Sequence, residues 1–289
     1  MHETIAQLIE NSPVILDGGW GTQLQQHGLA VGACPDEWNL SNPEKVGEVA
    51  KAYVDAGSNV ILTNTFGASR RMLSRHDLAD KVVEINRVGV EISKAVVGDT
   101  ARVFASIGPT GVMLMMGEAT EDELLAELTE QAEALAAGGA DGIVIETMAD
   151  PAEAKLAVTA AKSTGLPVAA CMVFDSGADN DRTMMGTTPE QAAEELTAAG
   201  ADVIGSNCGQ GIEGFIGICK RLKASTDRPI WIKANAGLPE MVDGAAVYRQ
   251  SPQQFADKIP ELIEAGATFV GGCCGTTPNF IAAVKEKLG

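Results

Sequence analysis

Short apolar runs alternate with longer amphipathic stretches along the whole chain. The runs at residues 14–17, 59–63, 102–107, 142–146, 167–174, 202–206, 229–234 and 268–272 are apolar nearly throughout, as strands covered on both faces are. Between them, apolar positions recur at helical spacing over residues 121–137, 151–163, 189–199, 212–224 and 252–265. Ser41-Asn42-Pro43-Glu44 supplies a cap and an N-terminal proline for a helix running to Ala56, and Pro278 opens the last helix. Eight strand-then-helix units in about 250 residues predict a (βα)8 barrel, an α/β fold of eight parallel strands whose sites sit at the strand C-terminal face. An open doubly wound sheet is the alternative. No Pro/Ser-rich linker or charged low-complexity run divides the chain, so residues 1–289 are expected to form one domain.

Four of these units keep a common register. Each runs from a helix-ending glycine, through a few small or polar residues, into an apolar strand; the glycines are Gly57, Gly139, Gly200 and Gly266. The seventh residue after each glycine is Asn64, Glu146, Asn207 or Cys273, and the eighth is Thr65, Thr147, Cys208 or Cys274. With the glycine as a helix C-cap and the run as a buried parallel strand, all eight residues fall just beyond strand C-termini. In a barrel those ends share one mouth.

Composition narrows the partners. A formal net charge of −18 repels nucleic-acid phosphates and anionic membrane surfaces, leaving small molecules or a basic protein patch. Residues 1–10 read as a short acidic amphipathic helix without an apolar signal core, and no run of about 18 apolar residues occurs, so a cytoplasmic setting is expected. In such a reducing compartment six cysteines point to metal binding or catalysis before disulfides.

Gly271-Gly272-Cys273-Cys274-Gly275-Thr276-Thr277-Pro278 puts two adjacent thiols on a tight strand-to-helix turn, and Cys208, in Ser206-Asn207-Cys208-Gly209, ends another strand and is the candidate third ligand. Three thiolates around Zn²⁺ leave its fourth position open, as in catalytic rather than structural sites. No histidine is placed to complete the set: His2 and His27 lie near the N-terminus, and His76 sits in a polar stretch read as a helix start. An all-sulfur site is a poor Lewis acid for water and a good host for a further thiolate, which suits sulfur alkylation better than hydrolysis. Simple packing beside glycines, or a vicinal disulfide, is the alternative for the adjacent pair. Cys34, Cys171 and Cys219 read as core filler. Met113, Met115 and Met116 read the same way, with an adaptable docking surface as the alternative. Trp231 reads as strand core and Trp20 as a candidate pocket wall.

With Leu16-Asp17-Gly18-Gly19-Trp20-Gly21-Thr22, Thr63-Asn64-Thr65-Phe66 and Asn235-Ala236-Gly237-Leu238-Pro239, these cysteine motifs make the sequence resemble the homocysteine S-methyltransferase family from about residue 12 to its end. Within the family the motifs look most like the homocysteine-binding barrel of cobalamin-dependent methionine synthases. The resemblance implies that Cys208, Cys273 and Cys274 hold one Zn²⁺ and that homocysteine sulfur takes the fourth position. It also implies that Asp17 and Glu146 engage the substrate's amino group, a role that carboxylates at strand ends facing one mouth can fill. The Gly18-Gly19 turn either presents N–H groups to the substrate carboxylate or is simply a tight βα turn. Asn235 either orients ligands or occupies the open metal position, or serves the fold alone. Thr147, with Asn64, Thr65 and Asn207, is expected to line the mouth, with loop capping as the alternative.

The methyl donor is less legible. The chain shows neither the Asp-x-His-x-x-Gly corrinoid signature nor a glycine-rich dinucleotide fingerprint, and no room for a folate or corrinoid module, so the donor is expected from outside. The first expectation is methylcobalamin held by a separate protein, as the resemblance implies. S-methylmethionine or S-adenosylmethionine is the alternative, and betaine fits less well because that branch carries a longer C-terminal extension. A non-catalytic zinc- or thiol-binding barrel, acting as a sensor or delivery subunit, is the reading of another class.

Overall fold

The computed structural model describes residues 1–242 and 245–289. Its strands, in chain order, are β1 (Val14–Ile15), β2 (Val60–Ile61), β3 (Arg102–Ile107), β4 (Gly142–Met148), β5 (Val168–Met172), β6 (Val203–Gly211), β7 (Ile230–Asn235), a hairpin of β8 (Glu240–Val242) and β9 (Ala245–Val247), and β10 (Ala267–Gly272). All but the hairpin form one parallel sheet in the order β1-β10-β7-β6-β5-β4-β3-β2, and a parallel bridge between Leu16 and Val60 joins its two ends. The chain is a (βα)8 barrel, as the alternation predicts.

The interior is filled, not hollow. Trp231 lies between Phe104 and Phe269 with ring centroids 5.9 and 5.3 Å apart, and Val14, Leu16, Val144 and Val203 pack around them. This apolar plug puts a floor beneath the strand C-termini, so polar groups collect above it. A larger cluster between strands and outer helices holds the helices in place. The helix from Val82 to Val97 fills the interval between β2 and β3. Among the described residues no helix is long and apolar enough to cross a membrane.

The register marks behave as helix caps. Gly57, Gly139, Gly200 and Gly266 have φ of 102, 89, 98 and 111°, the left-handed region where a Cβ is costly. Several expectations need correcting. The β1 and β2 ladders are two residues each, shorter than their apolar runs, while β6 runs on to Gly211 across a register shift after Asn207. Residues 75–77 end a helix instead of starting one: Arg70–Ser74 caps at Arg75, and Asp77 has φ 58°. Cys171 and Cys219 are buried as filler, but Cys34 is half-buried at the barrel mouth. Met113, Met115 and Met116 are not core: they are 40%, 68% and 68% exposed. They lie in the loop after β3, on and beside a single 3-10 turn (Leu114–Met116), beyond the level at which neighbouring helices could cover them.

Candidate metal centre and thiol pocket

Cys208 comes from β6, and Cys273 and Cys274 from the turn after β10, the strands on either side of β7. Their sulfurs all lie within 4.8 Å of one another, with Cys208 Sγ 3.8 Å from Cys274 Sγ. A tetrahedral ion with bonds of about 2.3 Å to sulfur needs sulfurs roughly 3.8 Å apart, which the Cys208–Cys274 pair shows, and three thiols are a donor set whose chemistry fits Zn²⁺.

The backbone is bent to make this cluster. Cys208 adopts a left-handed φ of 63°, and Thr147, at the same offset in its own unit, adopts 61°. Non-glycine residues in that region cost roughly 1 kcal/mol or more and persist only where neighbours hold them. Asn207 is the holder: its Oδ1 accepts from Thr147 N–H at 2.7 Å, and its Nδ2 donates to Thr147 Oγ1 at 2.8 Å and approaches Cys273 Sγ at 3.8 Å. Asn235 Oδ1 accepts from Cys274 N–H at 3.0 Å, and Cys273 N–H donates to Ala234 O at 2.7 Å. The Thr276 hydroxyl closes the turn onto Cys273 O at 2.7 Å. A Cβ on Gly19 would stand 2.6 Å from that same carbonyl, so only glycine lets the first βα turn approach the cysteine turn.

Hydrogen bonds from Cys273 and Cys274 pull the Cys208 thiol far below the ordinary range, while the same sharing with Cys208 pushes Cys273 and Cys274 up. The cluster favours one thiolate by itself; a cation is what would allow all three.

Across the mouth stands the acid side. Asp17 is fully buried: its Oδ1 accepts from Lys233 Nζ at 2.7 Å, and its Oδ2 from Leu62 N–H and Trp20 Nε1–H, both at 2.7 Å. Glu146 is 6% exposed; its Oε2 accepts from the Ser106 hydroxyl at 2.7 Å, and its Oε1 lies 3.9 Å from Lys233 Nζ. Burial pushes the Glu146 carboxyl up to about 7, against the pull of Lys233. Burial opposes the Lys233 charge as well, but Asp17 and Glu146 outweigh it and hold that ammonium above the usual lysine range.

Between the two sides lies a cavity of about 480 Å³ whose walls include Gly18, Gly19, Trp20, Glu146, Thr147, Asn207, Lys233 and the three cysteines. Of the residues singled out from sequence, Asp17, Thr65 and Asn235 stand behind this wall, buried and bonded to groups that line it, Thr65 by its hydroxyl to Ser106 O. Gly19 N–H is engaged by Thr276, its hydroxyl at 3.0 Å and its carbonyl at 3.3 Å. Lys233, Ser106, Cys34, Asp36, Phe66 and His76 line the cavity without having been singled out as site residues. Lys233 had a signal: a lone cation inside the apolar strand Ile230-Trp231-Ile232-Lys233-Ala234 needs a buried partner.

The profile of the homocysteine S-methyltransferase family matches residues 14–288. The methionine synthase of Mycobacterium leprae is 28% identical over 305 aligned positions, and that of Mycobacterium tuberculosis 27% over 303. These matches take in 99% and 98% of this chain but 25% of each relative, so the chain spans about a quarter of the length of the curated relatives it matches. Among solved structures, the metallated form of the homocysteine methyltransferase MmuM from Escherichia coli has a TM-score of 0.82 at 24% identity, covering 98% of both chains. Its oxidised form has 0.83 at 23%, covering 99% of this chain and 100% of that one. At such identity these two likenesses show the fold alone. The family match takes in both cysteine motifs, the first βα turn and the acid-bearing strand ends, and by it this chain belongs to the homocysteine S-methyltransferase family.

Proposed function

We propose that this barrel holds one Zn²⁺ on Cys208, Cys273 and Cys274 and methylates homocysteine to methionine, taking the methyl group from a methyl-corrinoid carried by a separate protein. The observation that carries the reading is the meeting of three thiols within 4.8 Å of one another beside a cavity of about 480 Å³. Zn²⁺ bound there would lower the pKa of an incoming thiol so that it enters as thiolate near neutral pH. The chain supplies position. Asn235 and Ala234 fix the cysteine turn, Asn207 fixes the strained Thr147 and Cys208 backbones, and Gly18, Gly19, Glu146 and Thr147 frame the far end of the thiol, with Asp17 behind them. In the transfer, the thiolate sulfur attacks the methyl carbon in line. The sulfur–carbon bond forms as the donor–methyl bond breaks, and the electron pair of that bond stays with the donor.

A macromolecular donor is supported by the rim. Phe66, Met113, Met115, Met116, Met184 and Leu238 are exposed on loops that follow barrel strands, and methionine-rich surfaces adapt to flat partners. The experiment is to incubate the zinc-loaded protein and homocysteine with methylcobalamin or with S-methylmethionine and to quantify methionine. Methionine from methylcobalamin is expected. Methionine from S-methylmethionine with no corrinoid present would overturn the donor assignment, and methionine from neither would leave the non-catalytic thiol-binding alternative.

A further inference from the structure

The cysteine turn is tied to a part of the barrel that holds no metal ligand. β10 pairs with β1, and beyond that ladder the segment after β1 and the turn after β10 stay side by side. Gly272 N–H donates to Asp17 O at 3.0 Å, Gly19 N–H to the Thr276 hydroxyl at 3.0 Å, and Gly275 N–H to the Thr22 hydroxyl at 2.9 Å. Tyr53, from the helix Pro43–Asp55, reaches the same place, its hydroxyl donating between Gly19 O at 3.2 Å and Thr276 O at 3.3 Å. Both Tyr53 and Thr276 are fully buried. The packing leaves no room for another side chain, since a Cβ on Gly18 would stand 2.7 Å from the Tyr53 ring and 2.8 Å from Thr276 Oγ1.

Thr276 is the joint. Its hydroxyl proton goes to Cys273 O at 2.7 Å while its oxygen accepts from Gly19 N–H, so one atom links the carbonyl of a candidate ligand to the first βα turn. The turn closes without that hydroxyl, because Thr276 N–H donates to the same Cys273 carbonyl at 3.1 Å. Gly19 O is likewise satisfied without Tyr53, since it takes Gln23 N–H at 3.2 Å. The two hydroxyls are therefore additional to what the backbone needs, and what they add is fixed position. With Cys273 N–H on Ala234 O at 2.7 Å, the peptide groups on both sides of Cys273 are held, and with them the direction in which its sulfur is carried.

We propose that Thr276 and Tyr53 are positioning residues for the metal centre: Thr276 sets Cys273, and Tyr53 clamps Thr276 to the first βα turn, so that a tyrosine with no hydrogen bond to a cysteine helps set the zinc affinity. The inference rests on the reading of Cys208, Cys273 and Cys274 as a zinc site, and it names the residues that keep the site in shape before the ion arrives. Chelator competition tests it on the full chain as wild type, Thr276→Val, Thr276→Ser and Tyr53→Phe, each shown to be folded by circular dichroism. Thr276→Val keeps the side-chain shape and the backbone bonds of position 276, and should bind zinc on the order of tenfold more weakly, the loss expected when a group that orients a ligand is removed. Thr276→Ser returns the hydroxyl and should recover most of that loss. Tyr53→Phe should weaken zinc about fivefold, the net worth of one hydrogen bond. The double variant Thr276→Val/Tyr53→Phe should lose less than the product of the two single losses, because both act through one joint. Wild-type zinc affinity in the folded variants, with only the melting temperature lowered, overturns the inference and leaves the zinc reading standing; a wild-type protein that binds no zinc overturns both. Should Thr276→Val fail to fold, Tyr53→Phe decides, and zinc held as tightly as by the wild type contradicts the proposal.

Discussion

On one side of the mouth, Cys208, Cys273 and Cys274 bring three thiols within 4.8 Å of one another; on the other, Asp17 and Glu146 share a lysine that the barrel supplies. The sulfur side is left to be completed by something that enters. On the acid side a buried cation and carboxylate are already paired at 2.7 Å, with Glu146 Oε1 3.9 Å from the same ammonium. One half of the pocket thus stores unmet coordination, and the other holds a charge pair of its own.

Removing a sulfur should have the largest effect. Cys208→Ala is expected to take bound zinc from one per chain to none, read by metal analysis after dialysis, because two remaining thiols no longer make a catalytic donor set. Cys219→Ala, in a helix away from the mouth, should keep the zinc. Loss of zinc in both, or in neither, would erase the distinction between the sulfur side and the rest of the cysteines.

Breaking the acid side should cost stability before chemistry. Lys233→Met leaves Asp17 charged and buried, and breaking such a pair is worth about 3–5 kcal/mol, measured by urea unfolding. Adding Asp17→Asn should restore part of it. A cost below about 1 kcal/mol would mean that the pair does not organise this side.

Asp36 shows what a buried acid does here without a cation. It is 3% exposed, accepts from Gly67 N–H at 3.0 Å, and burial pushes its carboxyl up to about 6. Since the folded pKa lies above the unfolded one, the native state holds the proton longer. Stability should therefore fall as pH rises from about 4 to about 6, by up to about 3 kcal/mol. Asp36→Asn should flatten that stretch of the stability–pH curve, and an unchanged slope would assign the effect to another group.

The smallest effect is expected at Asn235, which holds the Cys274 amide and lies against the Cys208 thiol without being a ligand itself. Asn235→Ala should weaken zinc roughly 10- to 100-fold in chelator competition, the usual cost of losing a group that orients a ligand. Unaltered affinity would place Asn235 in the fold alone.

Much of this was legible in the sequence because a parallel barrel repeats its geometry. The helix-ending glycines set a register, and counting from them places Glu146, Thr147, Asn207, Cys208, Cys273 and Cys274 on one rim, where they are found. The shared left-handed φ of Thr147 and Cys208 is the physical trace of that repeat. What periodicity could not carry is whatever depends on contacts between distant strands. Lys233 reads as an oddity in β7 until β1 and β4 bring Asp17 and Glu146 to it. Cys34 and the methionines after β3 lie in loops, where hydrophobic residues carry no period to show which way they face. The shift in β6 after Asn207 was hidden for the same reason: it is set by pairing with β7, not by local pattern.

The most direct measurement is zinc-edge X-ray absorption on the loaded protein, before and after a thiol is added. Three sulfurs at about 2.3 Å, rising to four when the thiol binds, is the predicted result. A shell dominated by nitrogen or oxygen, or a sulfur count unchanged by saturating thiol, would contradict the assignment of Cys208, Cys273 and Cys274 as a thiol-accepting metal centre.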